Sequence, residues 1–325
     1  MNQLHVGFGR VNITPAMGTP IGGYYVVRLA EKVLDELEAN AVAFAFGDQK
    51  ALLISADISG LFYQFAEPLC QQISKATGVP ADCIFITCTH THTGPEVNLN
   101  RKILPEKQEA YFPFFCSRLT DAALFALQDL KPAKMGWGVG NAPGIAFVRR
   151  FRMKDGSVRT NPGANNPDIL EPMNEGDNVI QLLKITREGA GDIALVNFQC
   201  HADVVKKIDG VHSVSADYPG VVCDVLEKAI PDLSCVYCNG PNGDLVQTDQ
   251  ISVPEWDNRR CWNHALHMGR AIAGKILSMY TKARPIEGGV VKTTEKVMDL
   301  PLKQPTSEQI ESSQKIQDAY NKGEF

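Results

Sequence analysis

Two histidines two residues apart, His90 and His92, occupy the run Thr87-Cys88-Thr89-His90-Thr91-His92-Thr93-Gly94-Pro95. The chain has only 7 histidines in 325 residues, and this pair ends an apolar run just before a Gly-Pro turn. In a strand, residues i and i+2 point to the same face. The spacing therefore predicts two imidazoles projecting together where a strand gives way to a loop. Such a pair suits a metal ion or a reacting carbonyl. His201 follows the apolar segment Asn197-Phe198-Gln199-Cys200, and the turn Asn239-Gly240-Pro241-Asn242-Gly243-Asp244 follows another. Sites in open α/β sheets form beyond the carboxyl ends of strands, so these three junctions can meet. Histidines from two strand ends, completed by a carboxylate or phenolate, make a zinc shell with one position left for water. Each residue also has a plainer reading. A strand-end histidine can be a hydrogen-bonded structural residue, and the Asn/Gly turn can be only a turn. Ser55-Ala56-Asp57 can cap a helix or brace a loop. Arg149-Arg150 can bind a substrate anion or line a solvated strand edge, and His212, His264 and His267 read as structural or surface residues.

These junctions need strands that deliver them. Segments 4–13, 41–46, 51–58, 83–89, 133–139, 145–151, 179–185, 193–200 and 290–300 read as strands. The segment 83–89 is continuously apolar, which predicts a strand covered on both faces. Helical spacing covers 62–77, 108–130, 218–229, 258–282 and 307–322, and no internal repeat is visible in the residues. The pattern predicts an α/β fold: a mixed central sheet flanked by helices, with the metal site at strand carboxyl ends. Residues 1–285 are expected to form the hydrolase domain. Residues 286–325, a strand and a polar helix, are expected to belong to an incomplete carboxy-terminal part.

Hydrophobic residues make up 44% and charged residues 21%, enough to bury a sizeable core. The net charge of -5 and the absence of a long basic cluster argue against a nucleic-acid partner. No apolar window approaches the length of a membrane helix, so no stable membrane insertion is expected. The nine cysteines are an odd number scattered through apolar runs, and Met1–Gly7 lacks the layout of a secretory signal. Both features predict a cytoplasmic protein with reduced thiols. Cys235-Val-Tyr-Cys238 lies in a strand-like run and is not taken as a redox or zinc motif.

The motifs together are more specific than any one of them. Val6-Gly7-Phe8-Gly9-Arg10-Val11-Asn12-Ile13-Thr14-Pro15, Gly22-Gly23-Tyr24, Ser55-Ala56-Asp57, Thr89 to Pro95, Asn197-Phe198 leading to His201, Ser215-Ala216-Asp217-Tyr218-Pro219-Gly220 and Asn242-Gly243-Asp244 occur in one order. From residue 6 to about residue 280 the chain resembles the amino-terminal domain of the neutral/alkaline non-lysosomal ceramidases and their short bacterial relatives. The resemblance implies a zinc-dependent amidase acting on an N-acyl linkage. It implies His90 and His201 as zinc ligands and His92 as a neighbour that holds the substrate or the developing oxyanion. It implies Arg150 as an arginine near the site. The serine that precedes the Gly-Asp turn in the ceramidases is absent here, which favours a metal-activated water as nucleophile. The family's later glutamate and tyrosine ligands also have no counterpart before Phe325. Asp57, Asp217 and Asp244 are possible stand-ins, for zinc or for a second divalent cation. The expected substrate is a small N-acylated or amide compound. The alternatives are ester or lactone hydrolysis with the same metal, or a non-catalytic ligand-binding relative.

Overall fold

The computed structural model describes residues 3–100, 105–252, 260–288 and 290–322. They fall into two units, Met1–Thr293 and Thr294–Phe325.

The first unit is built on nine strands: β1 (His5–Asn12), β2 (Glu38–Phe46), β3 (Gln49–Ala56), β4 (Ile84–Cys88), β5 (Lys131–Asn141), β6 (Val179–Arg187), β7 (Ile193–Phe198), β8 (Ser234–Asn239) and β9 (Arg284–Ile286). They form one mixed sheet in the order β8-β7-β6-β5-β1-β2-β3-β4, with β9 paired to β5. The ladders β3–β4 and β7–β8 are parallel and the others antiparallel. Four helices cover the sheet: α1 (Tyr63–Thr77), α2 (Pro105–Gln128), α3 (Asp217–Ala229) and α4 (Trp262–Tyr280).

The order of elements repeats. Three antiparallel strands, a crossover helix, a parallel strand and a second helix occur as β1-β2-β3-α1-β4-α2 and again as β5-β6-β7-α3-β8-α4. Each half has its own core beneath its helices. Phe115, Leu119, Ile54 and Ile73 are buried in the first, and Phe198, Leu226, Met268 and Ile272 in the second. A third cluster, Val6, Val42, Ala133, Ile185, Ile193 and Val236, draws on strands of both halves. The sheet curls around it, so that Ser55 Oγ of β3, the strand next to the β4 edge, donates to the Tyr237 carbonyl of the opposite edge strand β8 at 2.6 Å. Period-two alternation explains the split. In β1, Val6 faces the shared cluster, while a Cβ at Gly7 or Gly9 would fall inside the α2 backbone near Ala126 and Ala122. Only glycine lets helix and strand approach so closely.

Several expectations are corrected. The strand β4 is an edge strand whose ladder partner is β3, not one covered on both faces, and Phe85 on it is 64% exposed. The strand expected at 290–300 is absent among the described residues; the last ladder is β9, laid on β5. The helix α2 is continuous through Pro113, and short ladders at 150–153, 158–160 and 169–172 form between β5 and β6. All nine cysteines are free. No described helix is long and apolar enough to cross a membrane. The second unit carries α5 (Ser307–Asn321), opened by a capping box in which Thr306 and Gln309 satisfy each other's backbone amides.

Candidate metal centre

The three junctions do meet. His90 and His92 lie just past β4, and His201 lies just past β7. His90 Nε2 stands 3.2 Å from His201 Nε2 and 3.3 Å from His92 Nε2. Two nitrogens bound to zinc at about 2.0–2.1 Å in a tetrahedron lie about 3.3–3.4 Å apart, so both spacings fit one shared ion. Among the described residues, these three are the group of histidines, cysteines and acids that could hold a metal ion.

The convergence is not the strand alternation that the sequence suggested. β4 ends at Cys88, and His90 adopts a left-handed backbone at φ 66°. A non-glycine residue there is strained, and the loop around it is held at many points. His90 N–H donates to the Ile58 carbonyl and His92 N–H to the Ala202 carbonyl, which ties the two histidine loops together. Asn239 Nδ2 donates to the Thr89 carbonyl at 2.9 Å and the Cys200 carbonyl at 3.0 Å, the residues just before His90 and His201. The hydroxyls of Thr91 and Thr93 both donate to the Ser215 carbonyl, and Tyr218 Oη donates to the Cys200 carbonyl.

Two ring orientations are fixed from behind. His90 Nδ1 donates to the Ser59 carbonyl and His201 Nδ1 to the Asn242 carbonyl. With the proton on Nδ1, each Nε2 offers its lone pair inward. Burial, more than any other cause, lowers the pKa of all three imidazoles, His92 to about 2 and His201 to about 4. Mutual repulsion and the charge of Arg149 push the same way. Neutral imidazoles are the form that ligates metal, so this donor set fits a divalent cation.

The acids stand elsewhere. Asp57 accepts from the Glu38 amide at 2.8 Å and the Thr89 hydroxyl at 3.0 Å. Asp217 accepts from the amides of Val204, Val205 and Tyr218. Both carboxylates brace the loops that carry the histidines, and neither joins the metal-holding group. Asp244 is likewise outside it, paired with Arg150 Nε at 2.8 Å and Asn174 at 2.7 Å. That pair occupies Arg150, which is exposed. The arginine whose charge reaches all three imidazoles is its half-buried neighbour Arg149.

Further residues of the site were not singled out for it in the sequence. Asn239 lay in a segment read as a glycine-rich turn. Tyr24 packs its ring edge-on against His92, with centroids 5.4 Å apart. Its hydroxyl donates to both carboxylate oxygens of Asp203, at 2.5 and 2.6 Å. Lys206 Nζ approaches the same carboxylate at 2.7 Å. Burial pushes the Asp203 carboxyl up to about 7 and the Lys206 ammonium down to about 7; their contact opposes both shifts. The one signal in sequence was Gly22-Gly23-Tyr24. Gly23 has φ 92°, and a Cβ there would lie 2.7 Å from His92 Cγ and Nδ1.

A cavity of about 460 Å³ lies at the seam of the curled sheet, lined in part by Arg10, Glu38, Asp57, Glu227, Tyr237 and Trp262. None of the three histidines lines it, so it is not the chamber of this metal centre.

No protein-family model and no curated protein matches the chain in sequence. Solved structures do match. A ceramidase complexed with C2 superposes with a TM-score of 0.71 at 17% identity, covering 88% of this chain and 45% of the ceramidase. The neutral ceramidase of Pseudomonas aeruginosa gives a TM-score of 0.71 at 17% identity, covering 88% of this chain and 46% of that one. The chain thus spans about half the length of the proteins it superposes on. Over most of its own length it has the fold of the neutral ceramidases, with three histidines gathered at the carboxyl ends of its strands.

Proposed function

We propose that this protein is a metal-dependent hydrolase that cleaves an N-acyl amide bond, with zinc as its ion. The observation that carries this reading is the convergence of three Nε2 atoms at 3.2 and 3.3 Å, two of them oriented by backbone carbonyls behind them. The fold shared with ceramidases supports amide over other acyl linkages. His90 and His201 hold the ion, and His92, which the sequence reading placed beside the metal, serves as its third nitrogen. An ion so held supplies a Lewis acid for the substrate carbonyl and makes a water nucleophilic near neutral pH.

The chain's own residues then have separate tasks. The Ser59 and Asn242 carbonyls keep the two Nε2 lone pairs facing inward. Arg149 supplies fixed positive charge toward the cluster, where negative charge develops on the carbonyl oxygen during attack. Asn239 keeps the two histidine loops at constant separation.

The test is zinc per chain by elemental analysis, on wild type, His90→Ala and His201→Ala, followed by assay on N-acyl amides and matched esters. About one zinc in wild type, lost in both variants with circular dichroism unchanged, together with amide turnover, is the expected result. A wild-type chain that holds no zinc after zinc is offered and the excess removed overturns the reading. Ester cleavage without amide cleavage overturns the substrate assignment.

A further inference from the structure

The three imidazoles are not held alike. His90 and His201 each donate a hydrogen bond from Nδ1–H to a backbone carbonyl. His92 Nδ1 is buried and has no hydrogen-bond partner among the described residues. What stands opposite it is a carboxylate, Asp203 Oδ1, at 3.8 Å. That carboxylate is itself anchored. Tyr24 Oη donates to both of its oxygens, and Lys206 Nζ reaches them at 2.7 and 2.9 Å. Tyr24 is in turn flanked by the Arg28 guanidinium, 4.3 Å from its ring centroid, and by Lys206 Nζ at 4.1 Å. Arg28 also donates to the His92 carbonyl at 2.8 Å. On the remaining side, Gly23 leaves no room for a side chain against the imidazole.

We propose that Asp203, clamped by Tyr24 and Lys206, is the positioning residue of His92: it accepts the hydrogen bond from Nδ1–H and so aims Nε2 at the ion. The inference rests on the metal reading above. The argument is one of completeness. A ligating histidine nearly always donates its other N–H to a carboxylate, carbonyl or water. Two of the three have carbonyls for this purpose, and the third has only Asp203 facing it. The 3.8 Å gap is longer than a hydrogen bond, and a tilt of the ring toward the anchored carboxylate closes it. The anchoring selects for that role. Two donors fix where the carboxylate oxygens lie, and an anion is the stronger acceptor, which raises the basicity of the ligand nitrogen. Asp203 is therefore a positioning residue that acts through His92.

The experiment compares wild type, Asp203→Asn, Tyr24→Phe and His90→Ala, each as the 325-residue chain. Zinc affinity is measured by competition with a chromophoric chelator, the visible spectrum is recorded with Co2+ in place of zinc, and urea unfolding is followed without metal. In Asp203→Asn one amide oxygen faces donors from Tyr24, Lys206 and His92, and the amide NH2 can accept from none of them. The expected result is a 10- to 100-fold weaker zinc affinity, the range for such partners, with a changed Co2+ spectrum. Tyr24→Phe keeps the carboxylate but frees it to move, so it loses affinity by a smaller factor while its unfolding midpoint stays near wild type. His90→Ala loses the site. Wild-type affinity and spectrum in Asp203→Asn, beside a dead His90→Ala, overturn this inference and leave the metal reading standing. No zinc binding by wild type overturns both.

Discussion

Replacing Gly23 by alanine tests whether His92 belongs to the metal shell. Gly23 has φ 92°, where an L-residue costs about 1–2 kcal/mol. Its new Cβ would stand 2.7 Å from His92 Cγ and Nδ1, about 0.7 Å inside the 3.4 Å at which ordinary contact begins. The obstacle is a ring, not the free end of a long side chain, so the ring or the loop must move. Metal–ligand distances tolerate about 0.2 Å, so a ring displaced this far loses its bond. The expected loss of zinc affinity is tenfold or more, about 1.4 kcal/mol. Gly18 provides the matched control. Its φ is 76°, and a Cβ there meets only the end of the flexible Lys107 side chain. Both variants should unfold at lower urea, by about 1–2 kcal/mol, but only Gly23→Ala should lose zinc affinity in a chelator competition. Equal zinc affinity in the two variants would refute the placement of His92 in the shell.

Two further results follow from the charges. Arg149→Ala should lower amide turnover by tenfold or more with zinc content unchanged, since it removes positive charge directed at the cluster. Arg150→Ala, which opens an exposed pair with Asp244, should cost no more than about 1 kcal/mol in urea unfolding and less activity; the reverse ranking in a steady-state assay rejects the assignment. Asp57 gives the pH dependence. Burial raises its carboxyl from 3.8 to about 7, against hydrogen bonds from Glu38 and Thr89. The folded chain thus holds this proton to higher pH than the unfolded chain does. The stability from this group is complete below about pH 4 and is lost as pH rises through 7. Between pH 5 and 8 the urea midpoint of Asp57→Asn should fall less than that of wild type, and parallel slopes would rule the assignment out.

The sequence was most readable where chemistry depends on a local pattern. His90, His92 and His201 each stood at the end of an apolar run, and strands end just before them. What brings them together was not readable, because it is long-range. Asn239 lies 150 residues from Thr89, and Tyr24 lies 179 from Asp203. Asp57 and Asp217 looked like candidate ligands by residue type alone; their oxygens are consumed by backbone amides and a hydroxyl that no spacing rule reveals. Arg149 and Arg150 are adjacent in sequence, and neighbours on an extended chain point to opposite sides. Choosing between them required knowing which side faces the imidazoles. The twofold recurrence of elements left no trace in the residues because each half needs only its apolar periodicity, which many sequences satisfy.

The curled sheet makes ion binding a coincidence detector. The half that ends with α2 contributes His90 and His92, and the half that begins with β5 contributes His201. The chain passes from one half to the other through the short stretch Asp129-Leu130. Neither half alone assembles three nitrogens, so full affinity exists only once both have folded and docked across the seam at Ser55 and Tyr237. By mass action, an ion at 100 times its dissociation constant then favours the docked arrangement by about 2.7 kcal/mol. The ion is to this architecture what a clasp is to a ring: it adds to the buried cluster and the β1–β5 ladder that already join the two halves.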